Sequence, residues 1–241
     1  MNSGTRYSLT PERAALTLCA VAAAIVLVHV AAMQAYFNPA LGLDERFDLS
    51  YWQLAVFDLD EEESFGTWFS SGILFVAGVL LLNQARALCP DRSSELRSAE
   101  SSEHRWWFVL GLAFVFLSVD EVVGMHELMN TLMEENPWTV VGFPVLVLVG
   151  LSYLPFLWRY RGRTAVLFVV AGVIYGGGAV GVEHYTDADV NSLHYNMWTA
   201  LEEGMEMYGV IVLIYAILDF MRQNPVPRVT LAVLPDGGAA G

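Results

Sequence analysis

The chain contains no lysine; all 12 of its basic residues are arginine. That absence excludes retinal and pyridoxal Schiff bases, lysine nucleophiles and the phosphate-gripping lysine of P-loop proteins. Charge of either sign is scarce, at 16% of residues, where a soluble domain carries about 25%. So thin a charged shell leaves much of the surface facing something other than water. Cysteine is rare too. Cys19 and Cys89 form no metal or redox motif and read as structural thiols. The charge that exists is lopsided, with 26 acids giving a net −14. No basic patch is left to neutralise phosphates, which excludes nucleic acid as a partner.

What is abundant is apolar: 55% of the residues are hydrophobic and the mean hydropathy is +0.46. Six runs approach the ~20 residues a helix needs to cross hydrocarbon: Ala14–Phe37, Trp68–Leu88, Trp106–Met125, Trp138–Trp158, Thr164–His184 and Trp198–Phe220. They predict an all-α, polytopic membrane protein, one six-helix transmembrane bundle over residues 1–222. The tail, 223–241, carries Pro225, Pro227 and Pro235 with three glycines and reads as a disordered cytoplasmic segment. Trp68, Trp106, Trp107, Trp138, Trp158 and Trp198 fall at run edges, where an amphipathic ring settles at the membrane interface. The first run is longer than a signal-peptide core, and Met33-Gln34-Ala35 is a poor cleavage site, so it reads as a retained span.

Arginine orients the bundle. Arg6 and Arg13 precede the first run, Arg86 to Arg105 separate the second and third, Arg159 to Arg163 the fourth and fifth, and Arg222 and Arg228 follow the sixth. The alternate connections hold only Arg46 and are acidic, notably Asp58–Glu63. By the positive-inside rule both termini are cytoplasmic.

The ionisable residues within the runs gather toward the acidic side. Run three ends in Ser118-Val119-Asp120-Glu121, followed by His126-Glu127; run five ends in Glu183-His184; run six opens with Glu202, Glu203 and Glu206. At ~100° per residue Asp120, Gly124 and Glu127 share a face, and the three glutamates of run six fall within about 100° of one another. Rises of ~1.5 Å per residue bring Asp120 and Glu206 to similar depth. Gly176-Gly177-Gly178 in run five allow close approach of a neighbouring helix. A charged carboxylate at mid-bilayer costs about 2.5–3.5 kcal/mol, so a cluster demands protons, water or a cation. The expected site is a divalent-metal centre held by His126, Glu127, Glu183, His184, Glu202, Glu203 and Glu206, with Asp120 or Glu121 as general base. Its composition favours iron or manganese, with zinc and calcium as the other candidates. No Glu-x-x-His pair of the diiron bundles occurs in these runs. Against this stand plainer readings: Glu202 and Glu203 as first-turn acids serving the helix dipole, His29 as a hydrogen-bonded packing residue, and His194 as a solvated loop side chain.

The segments Thr67–Ser71, Ser118–Glu127 and Glu202–Met207 resemble those of uncharacterised multipass bacterial membrane proteins, over most of the six-run core. That resemblance implies a six-span protein of the bacterial inner membrane and no particular activity. Ser118, Asp120, His126, His184 and His194 also form an inventory similar in kind to that of alkaline ceramidase-type membrane hydrolases, without matching their spacing. The expected function is metal-dependent chemistry on a lipid or other apolar substrate entering from the outer leaflet. The alternatives are a proton or cation transporter or channel using the same carboxylates, and a non-catalytic accessory membrane subunit.

Overall fold

The computed structural model describes residues 10–47, 50–88, 97–125, 128, 139–185 and 190–224. Among them the chain is helical, with no strand. The helices are α1 (Pro11–Phe37), α2 (Leu43–Phe47), α3 (Tyr51–Leu54), α4 (Phe65–Ala87), α5 (Arg97–Val123), α6 (Thr139–Ser152), α7 (Leu154–Arg159), α8 (Arg163–Gly176) and α9 (Leu193–Gln223). α8 continues through a π turn, Gly177–Val182, and a 3-10 turn, Glu183–Tyr185. Six stretches are long and apolar enough to cross a membrane, as the hydropathy predicts.

Hydrogen-bond caps, not hydropathy, set the ends. α1 starts at Thr10, whose hydroxyl accepts from Arg13 N–H, with Pro11 in the first turn. Ser64 caps α4 and Ser192 caps α9, starting these helices three and five residues before the apolar runs at Trp68 and Trp198. His194 therefore sits in the first turn of α9, not in a loop, and its Nε2 accepts from Trp198 Nε1–H at 3.0 Å. The fourth run is broken at Tyr153, where Pro155 opens α7.

α9 runs through the centre and packs on α1, α4 and α8. α4 and α5 form the tightest antiparallel pair. Ser71 and Ser118 staple it, each hydroxyl donating to the other residue's carbonyl at 2.9 Å. At the arginine-bearing end an aromatic plug closes the bundle: the Trp107 ring lies 5.0–5.8 Å from those of Phe156, Tyr160, Phe168 and Phe220. Trp107 is thus fully buried, not an interface anchor as its run-edge position predicts. Its indole N–H donates to the Tyr160 hydroxyl at 3.2 Å, which satisfies the ring's one polar atom away from water. Trp68 and Trp158 are exposed, as expected of anchors. Trp138, Cys89 and the tail beyond Asn224 lie outside the described residues; Cys19 is a free, half-buried thiol.

One acid within the runs departs from the expected pattern. Asp219, in the last turns of α9, is buried at the arginine-bearing end. Arg163 Nε donates to it at 3.0 Å, Arg222 at 2.6 Å and Gln223 at 2.7 Å. Arg222 also reaches Glu12 of α1 at 2.7 Å. This end is closed by built-in counter-ions.

A candidate acid-lined cavity

Toward the opposite end helices α4 to α9 and one loop line a cavity of about 1860 Å³. Close backbone contact makes it possible. A Cβ at Gly178 would stand 2.8 Å from the Glu202 carbonyl oxygen, so the glycine-rich turn after α8 can lie directly on α9. Gly124 ends α5 with φ +61°, and a side chain there would overlap the Glu62 carboxylate. Glycine at that point lets the loop before α4 fold over the end of α5.

The loop is anchored by His29. The ring is buried in α1, its Nδ1 accepting from Leu59 N–H at 3.1 Å and its Nε2–H facing the Asn196 carbonyl at 3.0 Å. These partners assign the proton to Nε2. The Asp58 carboxylate stands 3.6 Å from Nδ1. One side chain thus ties α1, the loop and α9 together, the packing role the sequence predicts for it. Tyr51 bridges the Asp58 and Glu61 carboxylates at 2.7 and 2.8 Å. Burial, and then those two carboxylates, hold its phenol above the ordinary range.

The carboxylates of the lining come from four places. α5 supplies Asp120 and Glu121; the turn after α8 supplies Glu183; α9 supplies Glu202, Glu203 and Glu206; the loop supplies Asp60, Glu61 and Glu62. Glu206 interacts electrostatically with Glu121, Glu202 and Glu183, and Tyr175 lies beside it. Glu203 does so with Glu206, Glu121, Glu202 and Asp60. Asp60 accepts from the Tyr195 hydroxyl at 2.9 Å. Its side chain opens onto the cavity but is walled by protein, and that desolvation raises its carboxyl above the usual range, against the lowering effect of Tyr195. Among the described residues no arginine or histidine side chain lines the cavity.

Six of the nine predicted site residues therefore meet: Asp120, Glu121, Glu183, Glu202, Glu203 and Glu206. His126 and Glu127 lie outside the described residues. His184 is exposed beside the cavity, its Nδ1 3.1 Å from the Thr139 hydroxyl. Among the described residues no three acids, imidazoles or thiols stand in metal-ligating geometry. Because α9 begins at Leu193, Glu202 lies about 14 Å along its axis. That is beyond the first turn, where a helix dipole favours acids, so the plainer reading of Glu202 and Glu203 loses its support.

The sequence reading omitted Tyr175, Tyr195, Thr67 and Thr199, which add hydroxyls to the lining. The loop acids had a visible signal in the run Asp58–Glu63, which enters α4 at the level of the site. Below the acids the walls are apolar, down to Tyr153, Phe156 and Phe168 at the aromatic plug.

No curated protein and no solved structure matches the chain. Residues 15–220 match the family described as a domain of unknown function, DUF8692, and the protein belongs to that family.

Proposed function

We propose that this protein is a membrane-embedded metal-dependent enzyme whose acid-lined cavity binds a divalent cation and acts on a lipid or other apolar substrate. The observation that carries the reading is the meeting of nine carboxylates, from three helices and a loop, around one cavity without a basic side chain among its described lining. Carboxylates held at membrane depth need protons or cations to neutralise them. Oxygen-only walls suit hard ions, so manganese and calcium fit best, with ferrous iron next. Zinc would require an imidazole such as His126 or a re-aimed His184. In this reading Glu202, Glu203 and Glu206 would hold the ion. The ion would supply Lewis-acid activation of water, and Asp120 or Glu121 would serve as the general base. The arginine-bearing end faces the cytoplasm together with both termini, and the cavity mouth faces the periplasm of a bacterial inner membrane.

A transporter needs a route to the other side. Here the cavity floor ends on the plug around Trp107 and Phe156, which favours a site served from one face.

The test is metal analysis and calorimetric titration of the detergent-purified full chain with Mn²⁺, Ca²⁺, Fe²⁺ and Zn²⁺ separately. Binding of at least one ion near one equivalent is expected. At 100 times the dissociation constant that ion should stabilise the fold by about 2.7 kcal/mol. The triple variant Glu121→Gln, Glu203→Gln, Glu206→Gln should lose both effects while keeping its helical content. Failure of all four ions to bind the wild-type chain at millimolar concentration overturns the reading.

A further inference from the structure

The cavity is deeper than its acidic mouth requires. Its volume of about 1860 Å³ exceeds the roughly 300–1,000 Å³ of pockets for drug-sized ligands. The lower walls are hydrocarbon: Phe114 and Leu117 of α5, Val145 and Val149 of α6, Val169 and Val173 of α8.

One side of this chamber is barely closed. α5 and α6 both line it, yet they hardly touch; α6 packs on α7 and on the turn after α8. At the inner end the Tyr153 ring lies 5.1 Å from that of Trp106, and its hydroxyl donates to the Trp106 carbonyl at 3.0 Å. At the outer end Thr139 holds His184. That contact ties α6 to the turn after α8, so among the described residues the α5–α6 seam is latched at its inner end alone. Gly150 of α6 and Gly172 of α8 line the chamber, and a Cβ at either would meet nothing within 4 Å.

A chain moving from the bilayer into such a chamber gains little from the hydrophobic effect, because lipid tails are as apolar as its walls. Selection of an occupant therefore falls to its head, and the head would lie among carboxylates. An anionic head is repelled there, whereas an ammonium is attracted and can bond several carboxylates at once. We propose that the chamber is a lateral binding site for a long-chain membrane amphiphile with an ammonium head, its chain entering between α5 and α6. The head ends among the carboxylates of the mouth, the same set that a cation would occupy. This names the substrate class of the proposed function and rests on the cation-accepting mouth described there, but not on a bound metal.

The test uses the full chain in vesicles of phosphatidylcholine and phosphatidylglycerol with a chelator present. Trace octadecylamine carrying a mid-chain diazirine is photolysed, and the crosslinks are mapped by mass spectrometry beside those of the matching octadecyl phosphate. The amine should label the region of Leu117, Val145 and Val149 about tenfold more than the exposed α1 positions Leu16 and Leu27. Unlabelled octadecylamine should compete, and the phosphate should label these regions evenly. Gly172→Trp, or Gly150→Trp should the first variant lose helical content, fills the chamber and should abolish the selective labelling. Even labelling by the amine, equal selectivity of the phosphate, or labelling unchanged in a folded tryptophan variant each overturns the proposal. Because metal is chelated throughout, a failed metal titration leaves this result standing, and the two readings fail separately.

Discussion

Buried acids at the two ends of the bundle live under opposite regimes. Asp219 at the arginine-bearing end is 1% exposed and takes hydrogen bonds from Arg163, Arg222 and Gln223. At the other end nine carboxylates share one cavity, with the Tyr195 hydroxyl bonding Asp60 and no arginine among the described lining. Where counter-ions are built into the fold, an acid is a structural element. Where acids are gathered beside one another, their charges add in one place and attract cations there. The aromatic plug sharpens the contrast, because it seals the paired end and floors the cavity at the same time.

The largest blow to this division should come from Trp107→Ala. It removes the centre of the plug, and by analogy with buried Trp→Ala changes it should cost about 3–5 kcal/mol in denaturant unfolding. A loss under 1 kcal/mol would mean that the plug does not close the inner end. His29→Ala comes next. It strips partners from Leu59 N–H and the Asn196 carbonyl, each orphaned group costing about 1–3 kcal/mol before water entering the vacated space satisfies part of it, so about 2–4 kcal/mol should disappear. Hydrogen exchange of the 58–64 loop should rise with it; unchanged protection would show that the loop is held by other contacts.

The same chemical change at the two ends should have opposite signs. Asp219→Asn should destabilise by about 1–2 kcal/mol, because solvent around the half-exposed guanidinium groups of Arg163 and Arg222 discounts the full value. Glu203→Gln in chelated buffer should instead stabilise by about 0.5 kcal/mol through relief of like-charge repulsion. Equal signs in thermal unfolding would erase the distinction between the ends. The smallest effect belongs to Tyr195→Phe. Desolvation already raises Asp60, so its ionisation weakens the fold as pH climbs from the ordinary carboxylate range to the raised value. Removing the hydroxyl that opposes that shift moves the upper edge of this window higher. The carboxyl stretch of Asp60, assigned by difference infrared spectra against Asp60→Asn, should persist to higher pH in the variant. A shift to lower pH would contradict the hydrogen bond.

Much of this arrangement was legible in the residues. Asp120, Glu121, Glu183 and the three glutamates of α9 were expected at one level from helical rise and rotation alone, and they line one cavity. Both periods are fixed by backbone geometry, so position along an apolar run converts into depth and facing. Less legible was anything that depends on a partner distant in sequence. Asp60, Glu61 and Glu62 reach the site because His29, about thirty residues earlier, bonds Leu59, and because Gly124 leaves room for Glu62. Trp107 stands at a run edge like Trp106, but the α7–α8 turn and α9 wrap it in rings. Asp219 carries no local signal of its pairing with Arg163, 56 positions away.

The sequence by itself determined that the protein is helical, that six stretches suit a bilayer, and that most acids within those stretches gather at one end. These follow from local quantities: run length, the spacing of arginine, and the pitch of the helix. Only the tertiary structure decided that one end is plugged and ion-paired while the other opens into a chamber. Those are relations between helices, set by where glycine lets backbones meet and where two helices fail to meet, and no local pattern encodes them.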